Sequence, residues 1–218
     1  MLAGIIIKTY TTISQVSFRL QQEKEIAKEA LVLSQVLDNL AQSTTIDYER
    51  YKSSDLVANN GIVDSLYLKG DNGDLYQISS INTCLTDQEL YEQAEKSEPK
   101  TENQKEETPC QLSFTGTTKD WKTSHLLLDG KNFKLSKMQF KIIPFIWKED
   151  LKKNLASDTP KDWKPAFWIL GTLYSHYYNP NKWTNNISLP LQFFFSLQGK
   201  TESLYSIIDE NATQSSEA

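Results

Sequence analysis

The stretch LAGIIIKTYTTISQVSFRLQQEKEIAKEALVLSQVLDNLAQSTTIDY, residues 2–48, decides how this chain reads. It opens on a short apolar stub at 2–7, Leu2-Ala3-Gly4-Ile5-Ile6-Ile7, and then runs from Lys8 to Tyr48 with no Gly and no Pro. Apolar residues recur at Ile13, Val16, Leu20, Ala27, Ala30, Leu31, Leu37, Leu40 and Ala41, close to the i, i+3, i+4, i+7 spacing of one helix face. The opposite face carries Gln21, Lys24, Lys28, Glu29, Gln35 and Asp38. The pattern predicts an amphipathic helix over 8–48 and, with the stub, an N-terminal helical unit over 1–50. At ~1.5 Å per residue such a helix is ~65 Å long, longer than a small domain is wide. Its front is therefore expected to protrude or to pack on another chain. The more apolar second half, Ala27 to Ala41, is expected to lie on the chain's own sheet, through Leu31, Leu37 and Leu40 against Leu66, Leu68, Phe140 and Ile142.

Spanning a bilayer takes ~20 apolar residues, and the stub supplies six before Lys8. The basic, apolar, small-residue order of a signal peptide is absent. A run of three isoleucines has no structural reason to stand exposed at a soluble terminus. The expectation is that the stretch begins inside a longer hydrophobic helix.

The rest of the chain reads as a β-rich head over 60–210 and a polar tail over 211–218. Residues 43–60 are polar and end the helix, with Asn59-Asn60-Gly61 as the stop. A hairpin follows, Ile62 to Lys69, the turn Gly70-Asp71-Asn72-Gly73, then Asp74 to Ser79; Asn-Gly between alternating residues is a strong hairpin signal. Leu66, Leu68 and Leu75 are assigned to one face, Tyr67 and Tyr76 to the other. His125 to Leu128, the turn Asp129-Gly130-Lys131-Asn132 and Phe133 to Leu135 read as a second hairpin. Met138 to Phe145, Phe167 to Tyr174 and Ile187 to Leu197 read as further strands, the last two joined by a Tyr/Asn/Pro loop at 175–186.

Residues 87–109 differ in kind. Glu92 to Glu107 holds six Glu and three Lys around Pro99, too little apolar surface for order. This segment reads as a charged, flexible loop. Cys84 and Cys110 sit just outside it, where a disulfide would pinch its base; the competing reading is two unrelated buried thiols. Charge is also uneven. Lys119 to Lys164 holds eleven Lys and six acids within a chain of net charge −5. Solvated strand faces are the ordinary reason for such lysines.

The signatures of catalysis are missing. His125 and His176 are the two histidines, and no G-x-S-x-G elbow, P-loop or H-E-x-x-H occurs. Two cysteines and two distant histidines form no zinc pattern. Asp71-Asn72-Gly73-Asp74 lacks the ligand spacing of a calcium loop. The chain reads as a non-enzyme, with no catalytic residue, metal or cofactor assigned. Aromatic residues interleaved with lysines can bind single-stranded nucleic acid or sugars. Trp147, Trp163, Tyr177, Tyr178 and Trp183 are the candidate surface for a glycan or DNA ligand; the competing reading has the loop aromatics covering sheet edges.

The pattern also resembles a family. Ile5-Ile6-Ile7-Lys8-Thr9-Tyr10, followed by Ser17-Phe18-Arg19-Leu20-Gln21-Gln22-Glu23 and Ala30 to Leu37, is similar to the helix just after the membrane-embedded part of minor type IV pilins and type II secretion pseudopilins. The later elements match in order only. The family's processing site, a Gly before an apolar run with Glu at its fifth position, is not in this sequence. The resemblance implies an α+β fold: a long N-terminal helix packed on a single antiparallel sheet. It implies a structural subunit, held in the inner membrane with its head outside the cytoplasm, or assembled with other pilin or pseudopilin subunits in a pilus or secretion fibre. The expected assembly face is Ile5, Ile6, Ile7, Tyr10, Ile13, Val16 and Leu20. The alternative is an extracytoplasmic binding or adhesion module using the loops at 147–183.

Overall fold

A computed structural model describes residues 2–51, 53–96, 109–118, 122–131, 133–143 and 165–198. The fold is α+β, with a long N-terminal helix packed on antiparallel sheet. Helix α1 spans Leu2–Ser43. It stops where β-branched residues take over. Thr44 Oγ1 donates to the Leu40 carbonyl at 2.7 Å, satisfying a carbonyl that the helix end leaves open. The chain passes straight into strand β1, Thr44–Ile46, all of it buried, so the helix ends before Tyr48. Non-local pairing has overridden the helical reading of 44–48: β1 lies on β3, Ser65–Gly70, with Ile46 opposite Leu68.

Residues 48–58 add a 3-10 turn, Tyr48–Arg50, and a short helix α2, Ser53–Ala58. The Tyr51 hydroxyl accepts from the Tyr67 N–H at 2.7 Å and donates to the Ser65 carbonyl at 3.1 Å, fastening this segment to β3. Strand β2, Ile62–Val63, precedes β3 directly, and β4 covers Leu75–Ile81. The β3–β4 hairpin turns where expected, with Gly73 at φ 81° and the Gly70 N–H donating to the Asp74 carbonyl at 2.8 Å. The side assignment differs. Cross-strand partners share a face, and Leu68 lies opposite Tyr76 while Lys69 lies opposite Leu75. Tyr76 therefore joins the leucine face, where it stacks on Phe114 at 5.5 Å, and Leu75 joins the other.

The head holds two sheets in place of the single one that the resemblance implies. The first has the order β1-β3-β4-β5-β6, with β5 at Gln111–Thr117 and β6 at Lys122–Leu128. The second contains β7, Phe133–Leu135, β8, Gln139–Ile143, β9, Ala166–Ser175, and β10, Ser188–Ser196, in the order β10-β9-β8-β2 with β7 also on β9. The Asp129-Gly130 turn is real, with Gly130 at φ 69° and the Lys131 N–H donating to Asp129 Oδ1 at 3.0 Å. It does not close a hairpin, because β6 pairs with β5 and β7 pairs with β9. The turn carries the chain from one sheet to the other, which buries Leu128, Phe133 and Leu135 in one shared core.

Strands β7 and β8 form one interrupted edge along β9. At the interruption Ser136 Oγ accepts from the Thr172 N–H at 2.8 Å, replacing a ladder bond. The Met138 thioether lies where a Cβ at position 171 would go, so a larger residue there requires that side chain to move. Helix α1 packs on β10 and β9, and its end touches β1 and β6. Its buried stripe is Ile26, Ala30, Leu33, Leu37 and Ala41. Leu37, Leu66, Leu68, Phe140 and Ile142 share the core as expected, and Leu40 packs on its margin. Leu31 does not belong there: it is exposed.

The segment 87–109 is also corrected in part. Asp87–Lys96 forms helix α3, which buries Leu90 and Ala94. Thr86-Asp87-Gln88-Glu89 is a capping box that the composition conceals. Glu89 Oε2 accepts from the Thr86 N–H and hydroxyl, both at 2.8 Å, and the Thr86 hydroxyl accepts from the Glu89 N–H at 3.4 Å. Asp87 then accepts from Thr172 Oγ1 at 3.0 Å and the Tyr174 hydroxyl at 3.1 Å, tying α3 to β9. Cys84 and Cys110 form the expected disulfide, with an S–S distance of 2.03 Å. Residues 97–108 and the tail 211–218 lie outside the described residues.

Candidate functional site

Two stripes of α1 look in nearly opposite directions. At ~100° per residue, Ile6, Tyr10, Ile13 and Leu20 fall within about 80° of arc. The buried stripe from Ile26 to Ala41 is centred roughly 140° away, on the far side of the cylinder. Leu31, eleven residues after Leu20, falls on the outward stripe, which explains its exposure. Hydrophobicity without regard to angle put it against the head; the helical phase puts it outside.

All seven residues of the expected assembly face are exposed: Ile5, Ile6, Ile7, Tyr10, Ile13, Val16 and Leu20, with Ile6 at 61% and Tyr10 at 73%. Leu31 and Val32 are exposed too, with exposed Lys24 and Lys28 between them and Leu20 on the same side. Scattered exposed leucines are ordinary; seven exposed apolar residues between Ile5 and Leu20 on a protruding helix are not. Among the described residues no helix is long and apolar enough to cross a membrane.

Of the candidate ligand aromatics, Tyr177, Tyr178 and Trp183 are among the described residues. Trp147 and Trp163 lie outside the described residues. Tyr178 packs edge-on against Tyr174 at 4.5 Å. Trp183 lies under the Arg19 guanidinium at 5.6 Å. Tyr177 stands beside Phe18 at 6.0 Å and His176 at 5.0 Å. The loop between β9 and β10 therefore grips the helix at Phe18 and Arg19, two residues the amphipathic pattern did not single out. Arg19 falls at the centre of the buried stripe's arc, and Phe18 lies about 100° from it, on the flank of α1.

Electrostatic perturbation concentrates in structural positions. Burial raises the Asp47 carboxyl above its ordinary range, against the opposing pull of Arg50, whose Nε lies 3.4 Å from Asp47 Oδ2. Burial also pushes the Tyr48, Tyr51 and Tyr174 hydroxyls well up, the last with help from the Asp87 charge. His125 lies opposite Phe114 on an exposed part of β6. Among the described residues no group of three or more His, Cys, Asp or Glu side chains is arranged to hold a metal ion. Lys137 pairs with Asp64 at 2.6 Å across the junction of the two sheets. The chain matches no protein-family model, no curated protein and no solved structure.

Proposed function

We propose that this chain is a non-enzymatic structural subunit that assembles through the outward face of α1 into a type IV pilus or type II secretion-like fibre, as a minor pilin or pseudopilin. One observation carries the reading: the apolar side chains from Ile5 to Leu20 all stand exposed, on the part of α1 that the head leaves uncovered. Burying each such side chain against a neighbouring helix contributes about 1.5–3 kcal/mol, so a matching stripe on other subunits is the natural cover. The α+β fold, a long helix on antiparallel sheet, supports the same reading. In it the helix front is anchored in the inner membrane before assembly and the head stays outside the cytoplasm, the compartment that suits the Cys84–Cys110 disulfide.

The test is crosslinking in the cell that makes the protein, comparing wild type with Ile6→Asp plus Ile13→Asp. Wild type should crosslink into higher-order species, and the double variant should remain monomeric with its disulfide and circular dichroism intact. Equal assembly of the two, or a wild type that never leaves the monomer, overturns the proposal. The second reading, a binding or adhesion module, is favoured by one feature: Tyr177 stands 59% exposed at the wall of a cavity between helix and loop.

A further inference from the structure

Four asparagines lie in the loop between β9 and β10: Asn179, Asn181, Asn185 and Asn186. Asn186 alone has a hydroxyl residue two places on, in Asn186-Ile187-Ser188. Asn-x-Ser/Thr, with x other than Pro, is the acceptor pattern for N-linked glycans. So short a pattern recurs by chance, and its placement in the fold decides its meaning. An acceptor has to stand on the surface and to present its amide and its hydroxyl on the same side.

Both conditions hold. Strand β10 begins at Ser188, and Asn186 stands just before it. Asn186 and Ser188 are exposed, while Ile187 between them is 5% exposed. In extended chain this alternation sends side chains 186 and 188 to one side, toward solvent, and anchors 187 in the core. Backbone bonds hold the triplet on both flanks. The Asn179 N–H donates to the Asn185 carbonyl at 3.0 Å, and the Ser175 N–H donates to the Ile187 carbonyl at 2.9 Å. Asn179, by contrast, spends its side chain on the loop itself, where Oδ1 accepts from the Asn181 N–H at 2.9 Å.

A separate observation concerns Trp183, three residues upstream. It lies on the turn that the Asn185 N–H closes by donating to the Lys182 carbonyl at 2.9 Å. Arg19 steadies the indole, with its guanidinium 5.6 Å from the ring centroid, and yet Trp183 is 52% exposed. An aromatic face is negative and suits the weakly positive C–H bonds of a sugar ring. The Cys84–Cys110 disulfide suits an oxidising compartment outside the cytoplasm, the side on which lipid-linked glycans are transferred.

We propose that Asn186 carries an N-linked glycan whose first sugar ring lies beside Trp183. The donor is an oligosaccharide joined through its anomeric carbon to a polyprenyl phosphate. Asn186 Nδ2 bonds to that carbon, the carbon–oxygen bond to the phosphate breaks, the lipid phosphate leaves with the bonding pair, and Nδ2 gives up one proton. Ser188 supplies the hydroxyl by which the transferase recognises the acceptor. The proposal shares with the fibre reading only the setting outside the cytoplasm, and Asn186 is not one of the assembly residues.

The test uses protein purified from the cell that makes it. Trypsin releases Trp183–Lys200 as one peptide, cut after Lys182 and Lys200. That peptide should carry a saccharide mass, which electron-transfer fragmentation should place on Asn186. Asn186→Gln and Ser188→Ala should each abolish the modification with the disulfide and circular dichroism unchanged, and Ser188→Thr should retain it. The Trp183 indole N–H resonance, identified by its loss in Trp183→Phe, should differ between this protein and disulfide-bonded wild type made in a host without an oligosaccharide transferase. An unmodified Asn186 overturns the proposal, as does a saccharide mass placed on Ser188 or one that survives Ser188→Ala. An indole resonance equal in the two preparations overturns the placement beside Trp183. Crosslinking of Asn186→Gln in the cell keeps the two readings apart: it should match wild type whether or not a glycan is found.

Discussion

Arg19 reaches 164 residues along the chain to Trp183: its Nη1 donates to the Trp183 carbonyl at 2.8 Å, and its guanidinium lies 5.6 Å from the indole centroid. Glu23 holds the same guanidinium from one helical turn away, with Oε1 2.8 Å from Nε. One arginine thus fixes the β9–β10 loop against the helix just where the helix leaves the head. Arg19→Ala should cost about 1 kcal/mol, the scale of an exposed cation–π contact with its hydrogen bond. The sharper readout is local: amides from Tyr177 to Asn185 should exchange faster, with the β9 and β10 ladder unchanged. Uniform exchange rates in loop and ladder would refute the clamp.

Leu31 and Leu37 are chemically identical and six residues apart, yet one is 59% exposed and the other 0%. Leu37→Ala should destabilise by roughly 2–5 kcal/mol through lost burial and a cavity. Leu31→Ala should stay within about 0.5 kcal/mol in the isolated chain. Denaturant titration of the two variants checks the phase of the helix on the head. A large loss at Leu31 would mean that α1 is rotated from the orientation described.

The capping box predicts a pH dependence confined to α3. Accepting from the Thr86 N–H first, and from the Thr86 hydroxyl second, holds the Glu89 carboxyl below its ordinary value of 4.5. A lowered folded-state pKa stabilises above the unfolded value and loses that contribution as pH falls through the folded one. The first turn of α3 should therefore lose exchange protection as pH drops below about 4.5, before the sheets do. Thr86→Ala should weaken protection at neutral pH and flatten the acid dependence. Protection independent of pH in wild type would show that the cap does not form.

The disulfide spans 26 residues in sequence. Closing a loop of that size restricts the unfolded chain by about 3 kcal/mol. Reduction, or Cys84→Ser with Cys110→Ser, should lower the melting temperature by about 6–12 °C for a domain of this size. Thiol titration of the unreduced, denatured protein should find no free thiol, and two free thiols would refute the bond.

Much of this was legible in local signals. The 3.6 period marked α1, Asn72-Gly73 marked the β3–β4 turn, and the spacing of Cys84 and Cys110 around a charged segment marked the disulfide. The capping box was legible too, but charge composition outweighed it in the reading of 87–109. Leu90 and Ala94, four residues apart, bury the one stripe that α3 needs. The grip of Phe18 and Arg19 on the loop was not legible, because nothing near them in sequence names Tyr177 or Trp183 as partners.

Residue order by itself determined the elements whose bonds close within a few residues: the long helix, the tight turns and the alternating strands. Tertiary structure decided which helix face is covered, that Asp129-Gly130 joins two sheets instead of closing a hairpin, and that 44–46 is strand. Those outcomes depend on pairings between distant residues, such as Ile46 with Leu68 and Lys134 with Tyr174. A helix hydrogen-bonds within itself, whereas a strand is completed by its neighbour. Tertiary packing likewise decided that Gln22 Oε1 and Ser175 Oγ are buried without hydrogen-bond partners.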